Sequence, residues 1–148
     1  MELNTASEVI SFAKRLEEDS VKLYEHLAQR YPEEDRGTWL SFAKENRKNI
    51  IQIERAYYGV ITDAIEACFA FKIDPDEYML ETELAESAAY SDALNKTVKM
   101  EEKIIKFYTD AAEQSKSLLA DVPRVFTLIV KKRVDRRAKL ESLLHKEG

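Results

Sequence analysis

The chain has 148 residues and a formal net charge of −5, with 34% of its side chains charged and 45% apolar. That length makes a single domain with room for a core, and the acidic balance argues against nucleic acid as a partner. Three glycines and three prolines leave few turns and favour long helices.

Thr5-Ala-Ser-Glu8 has the spacing of a capping box and opens helix 1. Ile10, Ala13, Glu17, Val21, Tyr24 and Leu27 then recur on one face, carrying the helix to Gln29 or Arg30. Pro32 marks a turn that ends at Gly37. Helix 2 follows from about Arg36 to Gly59, with Trp39, Phe42, Ala43, Asn46, Asn49 and Ile53 among its inner positions.

Residues 60 to 87 form the connection. Ile61 to Ile73 is apolar nearly all round, which predicts a short helix packed across the bundle. Asp74-Pro75-Asp76 breaks it, and a charged strip with Glu77, Glu81, Glu83 and Glu86 leads into helix 3. That helix spans about Ser87 to Ser117, with Leu94, Val98, Glu101, Ile105, Tyr108 and Ala112 inward. Asp121 caps helix 4, Pro123 sits in its first turn, and the helix runs to about His145. Its inner face takes in Phe126, Ile129, Val130, Arg133, Val134 and Arg137, then Leu140 and Leu144.

Two stretches 84 residues apart are nearly the same text. Leu16-Glu-Glu-Asp-Ser-Val-Lys-Leu-Tyr24 returns as Met100-Glu-Glu-Lys-Ile-Ile-Lys-Phe-Tyr108. In each, Glu and Tyr stand seven apart and so share a helix face that is otherwise apolar. The chain thus reads as two copies of a helical hairpin, about 5–59 and 87–146, joined by a crossover of about 60–87 within one domain. The short 1–2 and 3–4 turns make those pairs antiparallel, and the long middle connection lets helix 3 run parallel to helix 2. The fold expected is all-α: a ferritin-like four-helix bundle of two repeated hairpins with a long, partly helical crossover.

The Glu-x6-Tyr segments, the repeat and the crossover resemble, over essentially the whole chain, the rubrerythrin branch of the ferritin-like di-iron carboxylate family. The resemblance implies one Glu from each of helices 1 and 3, here Glu17 and Glu101, and a Glu-x-x-His pair from each of helices 2 and 4. Tyr24 and Tyr108 would lie just behind those carboxylates. The positions aligned with the missing pairs hold Asn46 and Asn49 on helix 2, and Val134 and Arg137 on helix 4. His26 and His145 lie at the wrong face and depth to replace the imidazoles.

Arg137 is therefore expected as a fixed cation pairing with Glu17 or Glu101, with Asn46 and Asn49 filling the remaining hydrogen bonds. The function this implies is a ligand-depleted, non-catalytic binding or structural module without cofactor. The alternative is a di-metal peroxidase or oxidase, with iron or manganese held by Glu17, Glu101 and a neighbour such as Glu18, Glu45, Glu102 or Asp135. Iron storage would need the ligands that are missing.

The basic cluster Lys131, Lys132, Arg133, Arg136, Arg137 and Lys139 is expected to be a solvated face, since helical spacing scatters it. Cys68, the only cysteine, excludes an internal disulfide and any CxxC metal knuckle. No run approaches the ~18 apolar residues of a membrane span, and no secretory signal opens the chain. A cytoplasmic protein is expected, with neither nucleic acid nor membrane as partner. The surplus of apolar residues over what one thin bundle hides suggests a homodimer.

Overall fold

The computed structural model describes residues 2–60, 71–116 and 121–147. It is an all-helical bundle of four long helices: α1 (Ala6–Arg30), α2 (Arg36–Val60), α3 (Tyr90–Ser115) and α4 (Val122–Glu147). α1 begins where its capping box places it. Thr5 accepts from the Glu8 amide, and the Glu8 carboxylate accepts from the amides of Asn4 and Thr5. α3 starts three residues later than the periodicity predicts. Asp92 accepts from the Ala89 amide, which sets the first turn at Tyr90 rather than Ser87.

α1 packs along α2 and α3 along α4, and the pairs meet where α2 lies on α4 and α1 on α3. Contacts such as Lys14 with Glu54 and Arg47 with Glu25 make α1 and α2 antiparallel. Tyr108 against Phe126 and Glu101 against Arg133 do the same for α3 and α4.

The described part of the connection travels the bundle's length beside α3. Gln114 bonds to Lys72, Tyr78 donates to Asp110, and the Lys103 ammonium donates to the Met79 carbonyl. Lys96 then reaches the Glu83 carbonyl. Tyr90, at the start of α3, meets Asp35 at the start of α2, so those two helices run parallel.

Residues 61–70 of the expected short helix, Cys68 among them, lie outside the described residues. Its end differs from expectation. Phe71 and Ile73 are extended, not helical, because they exchange backbone bonds with Leu3 and Asn4 at 2.7–3.2 Å. Both are buried in the chain's own core rather than offered to a partner. Among the described residues of this connection, the helical turn is a 3-10 turn at Pro75–Tyr78, capped by Asp74.

Aromatic clusters fill the core on either side of a polar middle. Tyr24 stacks on Trp39 and meets Phe42, and beyond them Tyr31 packs against Tyr90. On the other side Phe12, Tyr78 and Tyr108 pack edge to face on Phe107, and Phe126 is tilted against Tyr108. Burying a large apolar side chain contributes ~1.5–3 kcal/mol, so these two clusters can carry a costly polar layer between them.

Candidate functional site

Six polar side chains, from all four helices, meet in the middle of the bundle. Glu17, Glu101, Asn46, Asn49 and Arg133 are fully buried, and Arg136 is 3% exposed. Each sits on the inner stripe of its helix. On α4 the buried positions Phe126, Ile129, Arg133, Arg136 and Leu140 alternate by threes and fours without a break.

Arg133 bridges the two carboxylates. Its Nη1 donates to both oxygens of Glu101 at 2.7 and 2.6 Å, and its Nη2 donates to Glu17 Oε2. Arg136 Nη1 donates to Asn46 Oδ1 at 2.8 Å and to Glu101 Oε1 at 3.2 Å. Its Nη2 reaches Glu45 at the half-exposed rim, at 2.5 Å. The Arg136 guanidinium lies over the rings of Phe42 and Tyr24, 4.6 and 5.3 Å from their centroids.

The amides complete the layer. Asn49 Nδ2 donates to Glu17 Oε1 at 2.7 Å, and Asn46 Nδ2 to Ser20 Oγ at 2.8 Å. Tyr24, from α1, donates across the bundle to Glu101 at 2.5 Å. Tyr108, from α3, faces Glu17 in the mirror arrangement, but its hydroxyl is outside hydrogen-bonding geometry and has no partner among the described residues. Asn49 Oδ1 and the Nε groups of both arginines are likewise unpartnered there.

Two buried carboxylates face two buried guanidiniums, so the layer is formally neutral. Burial opposes ionisation of Glu101, but the Arg133 and Arg136 charges outweigh it and hold its pKa below the ordinary carboxylate range. Burial likewise opposes the charge on Arg133, and the two glutamates drive its pKa well above the arginine value. Burial, and then the facing glutamate, push Tyr24 and Tyr108 far upward. Glu101, Arg133, Tyr24 and Tyr108 are each pushed further from the neutral range than their ordinary values, the opposite of the tuning that general acid or base chemistry uses.

The structure brings Glu17, Glu101, Asn46, Asn49, Tyr24 and Tyr108 together, and it corrects helix 4. Val134 is 45% exposed. Arg137 is 40% exposed and pairs with Glu141 one turn on, at 3.3 Å, not with either core glutamate. The expected positions are one residue too late. A helix turns about 100° per residue, so that slip moves a side chain from the core to the rim.

Arg133 and Arg136 are the residues that stand inside. The unbroken stripe from Phe126 to Leu140 passes through both, and that spacing was the signal available for them. Arginine's usual place at the surface obscured it. His26 and His145 are exposed.

These residues do not fit a pair of divalent ions. Among the described residues no three or more His, Cys, Asp or Glu side chains gather closely enough to hold one. Moreover, both oxygens of each core glutamate already accept from Arg133, Arg136, Tyr24 or Asn49. Glu18, Glu102 and Asp135 are exposed, and Glu45 is engaged by Arg136. Comparison with family models, with curated proteins and with solved structures gives no match.

Proposed function

We propose that this chain is a ligand-depleted bundle of the ferritin-like, rubrerythrin-like kind, built from two duplicated hairpins. In this reading a fixed arginine–carboxylate layer stands where relatives would hold two metals. The protein then acts as a binding or structural module, not as an oxidoreductase.

One observation carries the reading. Asn46 and Asn49 on α2, and Arg133 and Arg136 on α4, are each three residues apart, and all four converge on Glu17 and Glu101. Three-residue spacing on helices 2 and 4, facing one glutamate from each of helices 1 and 3, is the ligand pattern that the resemblance implies. Charge supports the same reading. Two guanidiniums balance two carboxylates, whereas two dications would need more anionic ligands than the core offers. The homodimer suggested by the sequence belongs to the same proposal, with sedimentation at micromolar concentration as its check.

The test is metal analysis of the chain purified without chelators, beside the variant Asn46→Glu/Asn49→His/Arg133→Glu/Arg136→His. The parent should carry no stoichiometric iron, manganese or zinc. The variant should take up two divalent ions per chain and develop ferric absorbance after ferrous iron and air. Two tightly held metals in the parent would overturn the proposal in favour of a di-metal oxidase or peroxidase. A variant that folds and stays metal-free would show that these four positions are not ligand positions.

A further inference from the structure

The formal charge of −5 is unevenly divided. α2 and α4 together hold thirteen basic and five acidic side chains, a formal +8, while the rest of the chain holds ten basic and twenty-three acidic, a formal −13. Packing sets the basic pair apart, because α2 lies against α4 and α1 against α3, and α1 and α3 themselves hold eight basic and ten acidic side chains, a formal −2. The exposed acidic strip with Glu77, Glu81, Glu83 and Glu86 runs along α3, away from the basic pair.

Only Arg133 and Arg136 of the basic set are buried. Lys44, Lys48, Arg55, Lys131, Lys132 and Lys139 are exposed or half-exposed and have no ion-pair partner among the described residues. The same helices carry five of the six large apolar side chains exposed among the described residues: Leu40, Ile51 and Tyr58 on α2, Leu128 and Val134 on α4. Leu40, Ile51 and Tyr58 are eleven and seven residues apart, so they stand in one line along α2. Lys44, Lys48 and Arg55 share that outward half of the helix.

We infer that the α2/α4 face docks on an anionic lipid surface. The lysines meet the headgroups while Leu40 and Ile51 reach the boundary with the acyl chains. The acidic strip of the connection, beside α3, orients the molecule by turning away from the same surface. A nucleic acid would leave the exposed aliphatic side chains without a partner and would find only Tyr58 to stack on. With the buried Arg133 and Arg136 left out, the pair carries eleven basic and five acidic side chains, so a second copy meeting this face with its own would set a formal +6 against +6. The sequence expectation of no membrane partner rested on the lack of a run long and apolar enough to span. No described helix is long and apolar enough to cross a membrane, but adsorption to a lipid surface needs no such helix. The inference does not depend on what the core layer does.

The experiment is flotation of the full chain with vesicles of phosphatidylcholine alone, or of phosphatidylcholine and phosphatidylserine in equal parts. The chain should float with the phosphatidylserine vesicles only, and high salt should release it. Lys44→Glu/Lys48→Glu/Lys132→Glu/Lys139→Glu should keep the parent's circular dichroism and lose more than ~10-fold in vesicle affinity. Ile51→Ser should weaken binding while keeping its salt dependence, and Arg15→Glu/Lys99→Glu, on α1 and α3, should leave it unchanged. Absence of flotation with phosphatidylserine at low salt would overturn the inference. So would an equal loss in the α1/α3 control, or a short DNA duplex bound more tightly than vesicles and released by the same quadruple variant.

Discussion

Glu17 and Glu101 stand in matching segments of sequence, yet their surroundings differ. Glu101 accepts from Tyr24, from Arg136 and twice from Arg133. Among the described residues Glu17 accepts from Arg133 and Asn49 alone, and the tyrosine that faces it, Tyr108, lies outside hydrogen-bonding geometry. The difference arises on the partner helices. α4 presents two cations at three-residue spacing and α2 presents two neutral amides, so the charge balance is skewed towards Glu101. The matching text carries the anion twice but not what neutralises it.

The most severe break is Arg133→Leu, because one guanidinium serves both glutamates. Removing it should cost ~3–5 kcal/mol by leaving buried charge without a partner, read as a lowered midpoint in urea unfolding. The pH dependence has a defined sign. In the parent, Glu101 has a lowered pKa, so its contribution is present above the ordinary carboxylate range and is lost as pH falls through the lowered value. In the variant the stranded carboxylate has a raised pKa, so the deficit should shrink as pH falls through the ordinary range. A deficit that stays constant across that range would show that the carboxylates were never buried in charged form.

A finer break separates the two carboxylates. Glu101→Gln disrupts contacts to two arginines and a tyrosine, and should cost ~3 kcal/mol. Glu17→Gln loses one guanidinium contact while the side-chain oxygen can still accept from Asn49, and should cost about half as much, at ~1.5–3 kcal/mol per charged hydrogen bond. Equal losses would erase the asymmetry. The tyrosines sharpen it further. Tyr24→Phe should cost ~1–2 kcal/mol, whereas Tyr108→Phe removes a hydroxyl with no partner among the described residues and should be nearly neutral. Both tyrosines have raised pKa values, so their contribution holds below the ordinary tyrosine range and is lost as pH rises through the raised values. Tyrosinate absorbance should therefore show both ionising only with alkaline unfolding.

Much of this arrangement is legible in the residues. α1 is the clearest case, since a capping box fixes its start and the period of its apolar residues carries Glu17 and Tyr24 inward. The repeat then points to Glu101 and Tyr108, and the length of the middle connection sets the direction of α3. What escaped depends on distant partners. Phe71 and Ile73 read as helical until Leu3 and Asn4 supply a strand-like partner from the other end of the sequence. Arg136 reads as a surface residue of a basic cluster, and Arg133, though its position falls on the inner face, reads as part of the same solvated cluster, because burial of either is tolerable only with Glu17, Glu101 and Glu45 around them.

The smallest effect tests that last correction most directly. Arg137 is one position beyond the buried Arg136, carries the same charge and lies in the same cluster, yet its partner is the exposed Glu141 one turn along α4. An exposed pair of this kind contributes ~0.3–0.5 kcal/mol, because water screens the charges and both long side chains lose freedom in forming it. Arg137→Leu should therefore shift stability by less than ~0.5 kcal/mol, and salt should abolish even that. The comparison with Arg133→Leu is then nearly tenfold in free energy for one chemical change, set by burial and by the two carboxylates that Arg133 serves against the one paired with Arg137. A cost for Arg137→Leu approaching that of Arg133→Leu would place Arg137 in the core and return α4 to the register that the aligned positions first suggested.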